Sequence, residues 1–131
     1  IIKSELLEPI KPLLNAGMIF EAIVLMLNNI SANSVFYKKA LKLEGAVTFN
    51  QIAMKCVYEM FMNIISEKST GKKSKYRWLT PEVISTYYAQ SLCFITEGWI
   101  AQGMDDIEPK EMAEAYMYLI TRSMDDILSE L

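Results

Sequence analysis

The chain has 131 residues, enough for one domain that buries a core without disulfides or metals. It contains no histidine, which excludes Ser-His and Cys-His nucleophile pairs and the helical His-x-x-x-His metal site. Its formal net charge is −3, so the surface as a whole does not attract nucleic-acid phosphates.

The sequence carries no sign of secretion or of membrane insertion. No signal peptide opens it, and no run of about 18 uninterrupted apolar residues offers a membrane span. Cys56 and Cys93 each lie inside an apolar helical pattern, as expected for buried thiols in a reducing cytoplasm. We therefore expect a cytoplasmic protein. Because the chain begins at Ile1 without an initiator methionine, we also expect it to be part of a longer product.

The N-terminal part divides into a connector and a central helix. Pro9 and Pro12 both interrupt the helical ladder, so residues 1–14 are interpreted as a helix end and a connector from an upstream segment. Residues 16–30 are apolar with Glu21 as their only charge, which predicts a central helix that other helices surround.

Two further helices are predicted before the middle of the chain. The first covers residues 35–43 and exposes its lysines. Its inward side chains are expected to be Phe36, Ala40 and Leu43. Thr48 and Gln51 then have the spacing of a capping box, which predicts a helix over residues 49–66.

Residues 67–78 form a polar stretch that carries five of the thirteen basic residues. A nucleic-acid patch and a solvated loop both fit this composition. We favour the loop, because Tyr76 and Trp78 are the only aromatic residues that could stack on bases there. Residues 80–131 hold ten acidic against two basic residues, which also argues against phosphate contact.

The helix predicted from Thr80 to Gly103 organises the rest of the chain. Thr80 and Pro81 are typical of a helix start, and Gly103 is typical of a helix end. One apolar row at helical spacing is predicted to face the core: Ile84, Tyr88, Leu92, Ile95 and Trp99. A second row mixes aromatic and small residues, which suits a contact between subunits. Its members are the predicted dimer interface: Val83, Tyr87, Phe94, Gly98 and Ala101.

The last predicted helix begins near Pro109 and continues to Leu131, after a short turn over residues 103–107. These periodicities predict an all-α fold, an orthogonal and antiparallel bundle of about five helices. Two long antiparallel helices close the bundle. The sequence has no Gly-rich phosphate loop, no metal-ligand cluster and no nucleophile with its base, so we expect no catalytic residue, cofactor or metal.

Several segments resemble the C-terminal regulatory domain of TetR-type transcriptional regulators. They are residues 30–41, the run Tyr88-Ala-Gln-Ser-Leu, the segment from Trp99 to Gly103, and Pro109-Lys-Glu-Met. The resemblance implies a homodimer whose last two helices build a four-helix bundle, with an effector held among the preceding helices. DNA would be read only by a helix-turn-helix domain that this chain lacks, and residues 1–8 would be the remnant of the linking helix.

The effector implied by this resemblance should be apolar or aromatic, because the expected lining carries no fixed positive charge. We predict that this lining combines methionine and aromatic side chains: Met26, Met54, Tyr58, Phe61, Met62 and Tyr88. Two alternatives stay open at this point. The chain could be a TetR-like adaptor that touches another regulator, or an unrelated helical dimerisation module without an effector.

Overall fold

The computed structural model describes residues 3–42, 48–71 and 73–131, with residues 3 and 4 described by their backbone alone. This part of the chain is helical and contains no strand, so the predicted all-α class is confirmed. A π-helical turn, Lys3–Leu7, and a 3-10 turn, Glu8–Ile10, come first. The α-helices that follow are α1 (Lys11–Asn15), α2 (Ile19–Ala32), α3 (Ser34–Lys42), α4 (Phe49–Lys68), α5 (Pro81–Ala101), α6 (Pro109–Thr121) and α7 (Met124–Ser129).

The N-terminal segment is broken into short helical pieces at the places where Pro9 and Pro12 remove backbone donors. It is nevertheless part of the core, because four of its side chains are buried: Leu6, Leu7, Ile10 and Leu14. Its interpretation as a connector stays a prediction.

The helix α2 is central, as predicted, and packs against α1, α3 and α6. It begins at Ile19 and not at residue 16, because the intervening residues close α1. Gly17 has a φ of 78° and its N–H donates to Leu14, while the N–H of Met18 donates to Leu13. This pair of bonds is a Schellman motif, which requires the left-handed conformation that glycine adopts easily.

The helix α3 turns a different side chain inward from those predicted. Tyr37 is fully buried, whereas Phe36 is 44% exposed and packs its ring edge-on against Tyr37 at 5.0 Å. Ala40 is half-buried, and Leu43 lies outside the described residues. The prediction for α4 is confirmed, because Thr48 accepts from the Gln51 N–H and Gln51 accepts from the Thr48 N–H.

The helices α4 and α5 form the most extensive pair in the fold. The predicted core row of α5 is only partly right: Leu92 and Trp99 are buried, whereas Ile84, Tyr88 and Ile95 are half-buried. The buried side of α5 is shifted around the helix from this row and combines large and small side chains: Ser85, Ala89, Leu92, Cys93, Thr96, Trp99 and Ile100. Ser85 and Ala89 are its most buried members, and their small side chains allow neighbouring helices to approach closely.

The ends of α5 match the prediction. Thr80 caps the helix by accepting from the N–H of Val83, and Gly103 lies just past its end with a φ of 101°. After the turn, the indole N–H of Trp99 donates to the backbone oxygen of Ile107 at 3.0 Å. The helix α6 then runs back antiparallel along α5.

The prediction of one long final helix is wrong. The backbone at Arg122 is extended, with φ −105° and ψ 149°, so α6 ends at Thr121. Ser123 then caps the short helix α7 by accepting from the N–H of Asp126 at 3.1 Å. The apolar repeat continues across this break, and the repeat alone therefore suggested an unbroken helix.

Among the described residues, no single helix has both the length and the hydropathy needed to cross a membrane. Taken together α2 and α3 reach those values, but the two helices meet at a bend of 87°.

Candidate functional site

One face of α5 exposes large apolar side chains to solvent, and we call it the outer face of α5. Phe94 is 77% exposed and Tyr87 is 65% exposed. Gly98 and Ala101 are exposed on the same row, and Val83 is half-buried. The predicted interface residues thus lie outside the core of a single chain. Exposed apolar side chains grouped on one helix face are typical of an interaction site.

Gly98 is not needed for packing within one chain. A Cβ added at this position would meet no heavy atom within 4 Å, and the backbone there is ordinary α-helix. A glycine on an open helix face leaves room for a second backbone to approach. Apolar exposure continues beyond α5, with Leu119 at 48% and Met124 at 73%.

A small apolar cavity lies where the N-terminal segment, α2, α4 and α5 meet. Its volume is about 30 Å³, which is room for about one or two water molecules. Leu6 and Leu7 form one wall, and Met26 lies in the wall from α2. The hydroxyl of Thr96 is buried in this lining and has no hydrogen-bond partner among the described residues.

The thiol of Cys93 lines the cavity and is held neutral. Burial, and to a smaller extent the nearby carboxylate of Glu97, raises the pKa of the Cys93 thiol to about 12, so the thiol stays neutral. Glu97 itself lines the cavity and accepts a hydrogen bond of 2.7 Å from the side-chain amide of Asn50. An anion at this position would be repelled by Glu97.

The predicted effector residues are only partly brought together. Met26 lines the apolar cavity. Phe61 on α4 and Tyr88 on α5 contact each other, with ring centroids 5.7 Å apart. The other three, Met54, Tyr58 and Met62, are half-buried on α4 and do not line this cavity.

Sequence reasoning missed Thr96 and the leucines of the N-terminal segment. Thr96 lies four residues after Leu92 and three before Trp99, so its position on the buried row could have identified it. No such signal exists for Leu6 and Leu7. Their approach to the cavity depends on how the short helical pieces before α2 fold back.

A second, open groove of about 610 Å³ lies at the start of α5. Trp78, which is 75% exposed, lines it together with Tyr87 and Tyr88. The groove therefore adjoins the outer face of α5. In the preceding loop, the ammonium of Lys75 lies 5.7 Å from the ring centre of Tyr76.

A protein-family model described as a transcriptional regulator C-terminal region matches residues 18–122, which is most of the chain. The matched region starts just before α2 and ends just after α6. It therefore includes the outer face of α5 and most of the cavity lining. Searches of curated proteins and of solved structures gave no significant match.

Proposed function

The chain belongs to the TetR family of transcriptional regulators as a C-terminal regulatory domain, and from this premise we propose that it binds a small effector and joins two copies in a homodimer. Regulators of this family are typically cytoplasmic homodimers that bind small-molecule effectors and reach DNA through an N-terminal domain. In the parent protein, effector binding would be coupled to DNA release through the segment before α1.

The observation that carries the dimer is the exposed outer face of α5. Burying an aromatic side chain such as Phe94 stabilises the dimer by roughly 1.5–3 kcal/mol, and this contribution occurs twice because both copies bury the same residue. In the proposed dimer, α5 and the C-terminal helices of each copy form a four-helix bundle. Gly98 and Ala101 allow the helices of the two copies to approach closely.

The dimer is tested by a charge placed on this face. Phe94→Glu would bury two carboxylates in an apolar contact, a penalty of several kcal/mol. We expect sedimentation equilibrium to show a dimeric wild type and a monomeric variant, with circular dichroism reporting that the variant still folds. Lys73→Glu in the loop is the control and should leave assembly unchanged. A monomeric wild type at micromolar concentration, or a Phe94→Glu dimer as tight as the wild type, would refute the interface.

The apolar cavity supports an effector site centred on Met26 and Thr96. Methionine adapts its shape to irregular ligands, and the unpaired Thr96 hydroxyl offers a single polar contact in an apolar lining. A drug-sized ligand needs roughly 300–1,000 Å³, so binding requires the cavity to widen. The other predicted lining residues, Met54, Tyr58, Phe61, Met62 and Tyr88, do not line this cavity, and their role in effector binding stays a prediction.

Widening would be transmitted to the N-terminal segment, because Leu6 and Leu7 form a wall of the cavity. An effector that prefers the widened state shifts the population toward it, and the reciprocal coupling changes the geometry presented to the DNA-binding domain. The effector is proposed to be neutral, since Glu97 disfavours an anion.

Indole and benzoate test this site, because they combine similar aromatic bodies with a neutral donor or a negative charge. We expect indole, but not benzoate, to raise the melting temperature of the chain. Thr96→Val keeps the shape and removes the hydroxyl, so the affinity for indole should fall by about fivefold, the equivalent of one hydrogen bond. Leu6→Ala should strengthen binding by enlarging the cavity, whereas Leu131→Ala at the exposed C-terminus should not. Preference for benzoate, or equal binding by Thr96→Val, would argue against the proposal.

A further inference from the structure

We propose a second ligand site, for a small organic cation, in the cleft between the N-terminal segment and α4. This cleft has a volume of about 290 Å³. Glu59, Asn63 and Glu67 line it from α4, where steps of four residues place them along one face. Lys11 and Asn15 line it from the opposite wall. We call it the α1–α4 cleft.

The bottom of the α1–α4 cleft is apolar. Leu14 and Met60 line it and are 7% and 9% exposed, respectively. Ile64 is half-buried beside them. The cleft therefore combines an apolar floor with a polar rim, which is the usual composition of a small-molecule site.

The charge balance of the rim is negative. The ammonium of Lys11 is paired with the carboxylate of Glu8 at 3.0 Å, which offsets its charge. Glu59 and Glu67, in contrast, form no ion pair with any described residue. The ammonium of Lys68 lies toward Gly17, 3.2 Å from the position that a Cβ of residue 17 would take. Two carboxylates thus remain available to a cation.

These features determine the class of ligand. A primary ammonium can donate charge-assisted hydrogen bonds to the carboxylate of Glu59 or to that of Glu67, which lie about two helical turns apart, and the side-chain oxygen of Asn63 between them is a further acceptor. The apolar floor accommodates a short aromatic or aliphatic body. Because the volume is at the lower limit for ligand pockets, the cation is smaller than a typical drug. It differs in charge from the neutral effector proposed for the apolar cavity.

The cleft also offers a route to regulation. Leu7 lines both the α1–α4 cleft and the apolar cavity. A cation that fixes the N-terminal segment against α4 would therefore change the free energy of widening the cavity. This consequence rests on the proposed effector site, whereas the cation site itself does not.

The test uses three probes with the same aromatic body: 2-phenylethylammonium, 2-phenylethanol and phenylacetate. Isothermal titration of the 131-residue chain should show the ammonium binding at least about tenfold more tightly than the other two, the equivalent of one charge-assisted hydrogen bond. Equal affinities for the three probes, or no binding at millimolar ammonium, would overturn the proposal.

Matched variants locate the binding. Glu59→Gln or Glu67→Gln, whichever removes the carboxylate that the ammonium contacts, should weaken ammonium binding by about tenfold, because the substitution removes one charge and keeps the side-chain shape. Glu114→Gln, on the exposed face of α6, should leave it unchanged. Thermal unfolding monitors the fold of each variant, and unaltered binding by both folded cleft variants would place the ligand elsewhere.

A competition experiment separates this site from the effector cavity. Saturating indole should not displace 2-phenylethylammonium from the wild type, and simple competition would mean that both ligands share one site. If the chain fails to bind indole, the effector proposal fails, but the glutamine variants still decide the cation site.

Discussion

The hydroxyl of Tyr116 on α6 donates to the backbone oxygen of Tyr88 on α5 at 3.1 Å. The hydroxyl of Ser91 lies 3.1 Å from the same phenol and donates to the same backbone oxygen at 2.9 Å. Tyr116 is 1% exposed, so this small network joins the two helices away from solvent. It contrasts with Tyr37, whose buried hydroxyl has no hydrogen-bond partner among the described residues.

The same substitution at these two tyrosines should have opposite effects. Tyr116→Phe removes a buried hydrogen bond and should lower the free energy of unfolding by about 1–2 kcal/mol. Tyr37→Phe removes an unpaired hydroxyl that is costly to bury, and should leave that free energy unchanged or raise it by up to about 1 kcal/mol. Urea denaturation of both variants measures the difference, and equal destabilisation would show that the Tyr37 hydroxyl has a partner.

The stability should fall at alkaline pH. Burial raises the pKa of Tyr37 and Tyr116 from 10.0 to about 12, and that of Cys93 from 9.0 to about 12. Each group is then neutral in the folded state at a pH where the unfolded chain has released its proton. The unfolded state therefore binds fewer protons, and stability present below about pH 9 is lost as the pH rises toward 12.

The size of this alkaline loss can be attributed to single groups. A shift of two pKa units corresponds to at most about 2.7 kcal/mol for each tyrosine. Tyr37→Phe should therefore lose less stability than the wild type between about pH 9 and pH 11, by a margin that grows with pH. Urea midpoints at several pH values measure this margin. A wild type whose midpoint does not change over this interval would contradict the prediction.

Local signals in the sequence predicted the local features of the fold. The capping pair Thr48 and Gln51 is separated by three residues and needs no tertiary information. The exposure of the outer face of α5 could also be predicted from the sequence, because a single chain could not bury both apolar rows of this helix. The apolar cavity could not be predicted, since Leu6, Met26 and Thr96 come from segments far apart in sequence.

The break before α7 shows the limit of periodicity as a signal. Ser123 has the character of an N-cap, but the apolar repeat on both sides continues without a change of phase. Ser123→Ala should therefore destabilise α7 by about 1 kcal/mol, because the N–H of Asp126 loses its acceptor. Hydrogen exchange should become faster in residues 124–129 and stay unchanged in α4. Unchanged exchange throughout α7 would mean that the cap contributes nothing.

A substitution at Gly98 should have opposite effects on the stability of the monomer and on the affinity of the dimer. A Cβ at this position meets no atom within 4 Å in a single chain, and alanine is favoured over glycine inside a helix by about 1 kcal/mol. Gly98→Ala should therefore stabilise the monomer by about that amount, measured by thermal unfolding of a Phe94→Glu background that cannot dimerise. In a chain that carries Gly98→Ala alone, the added methyl group would lie between the two copies of α5 and hold them apart. We therefore expect the dimer dissociation constant to rise by about tenfold, the equivalent of roughly 1.4 kcal/mol. Gln102→Ala, at the exposed end of α5 and outside the predicted interface, is the control for assembly. A Gly98→Ala chain that dimerises as tightly as the wild type would show that this part of the outer face of α5 stays in solvent.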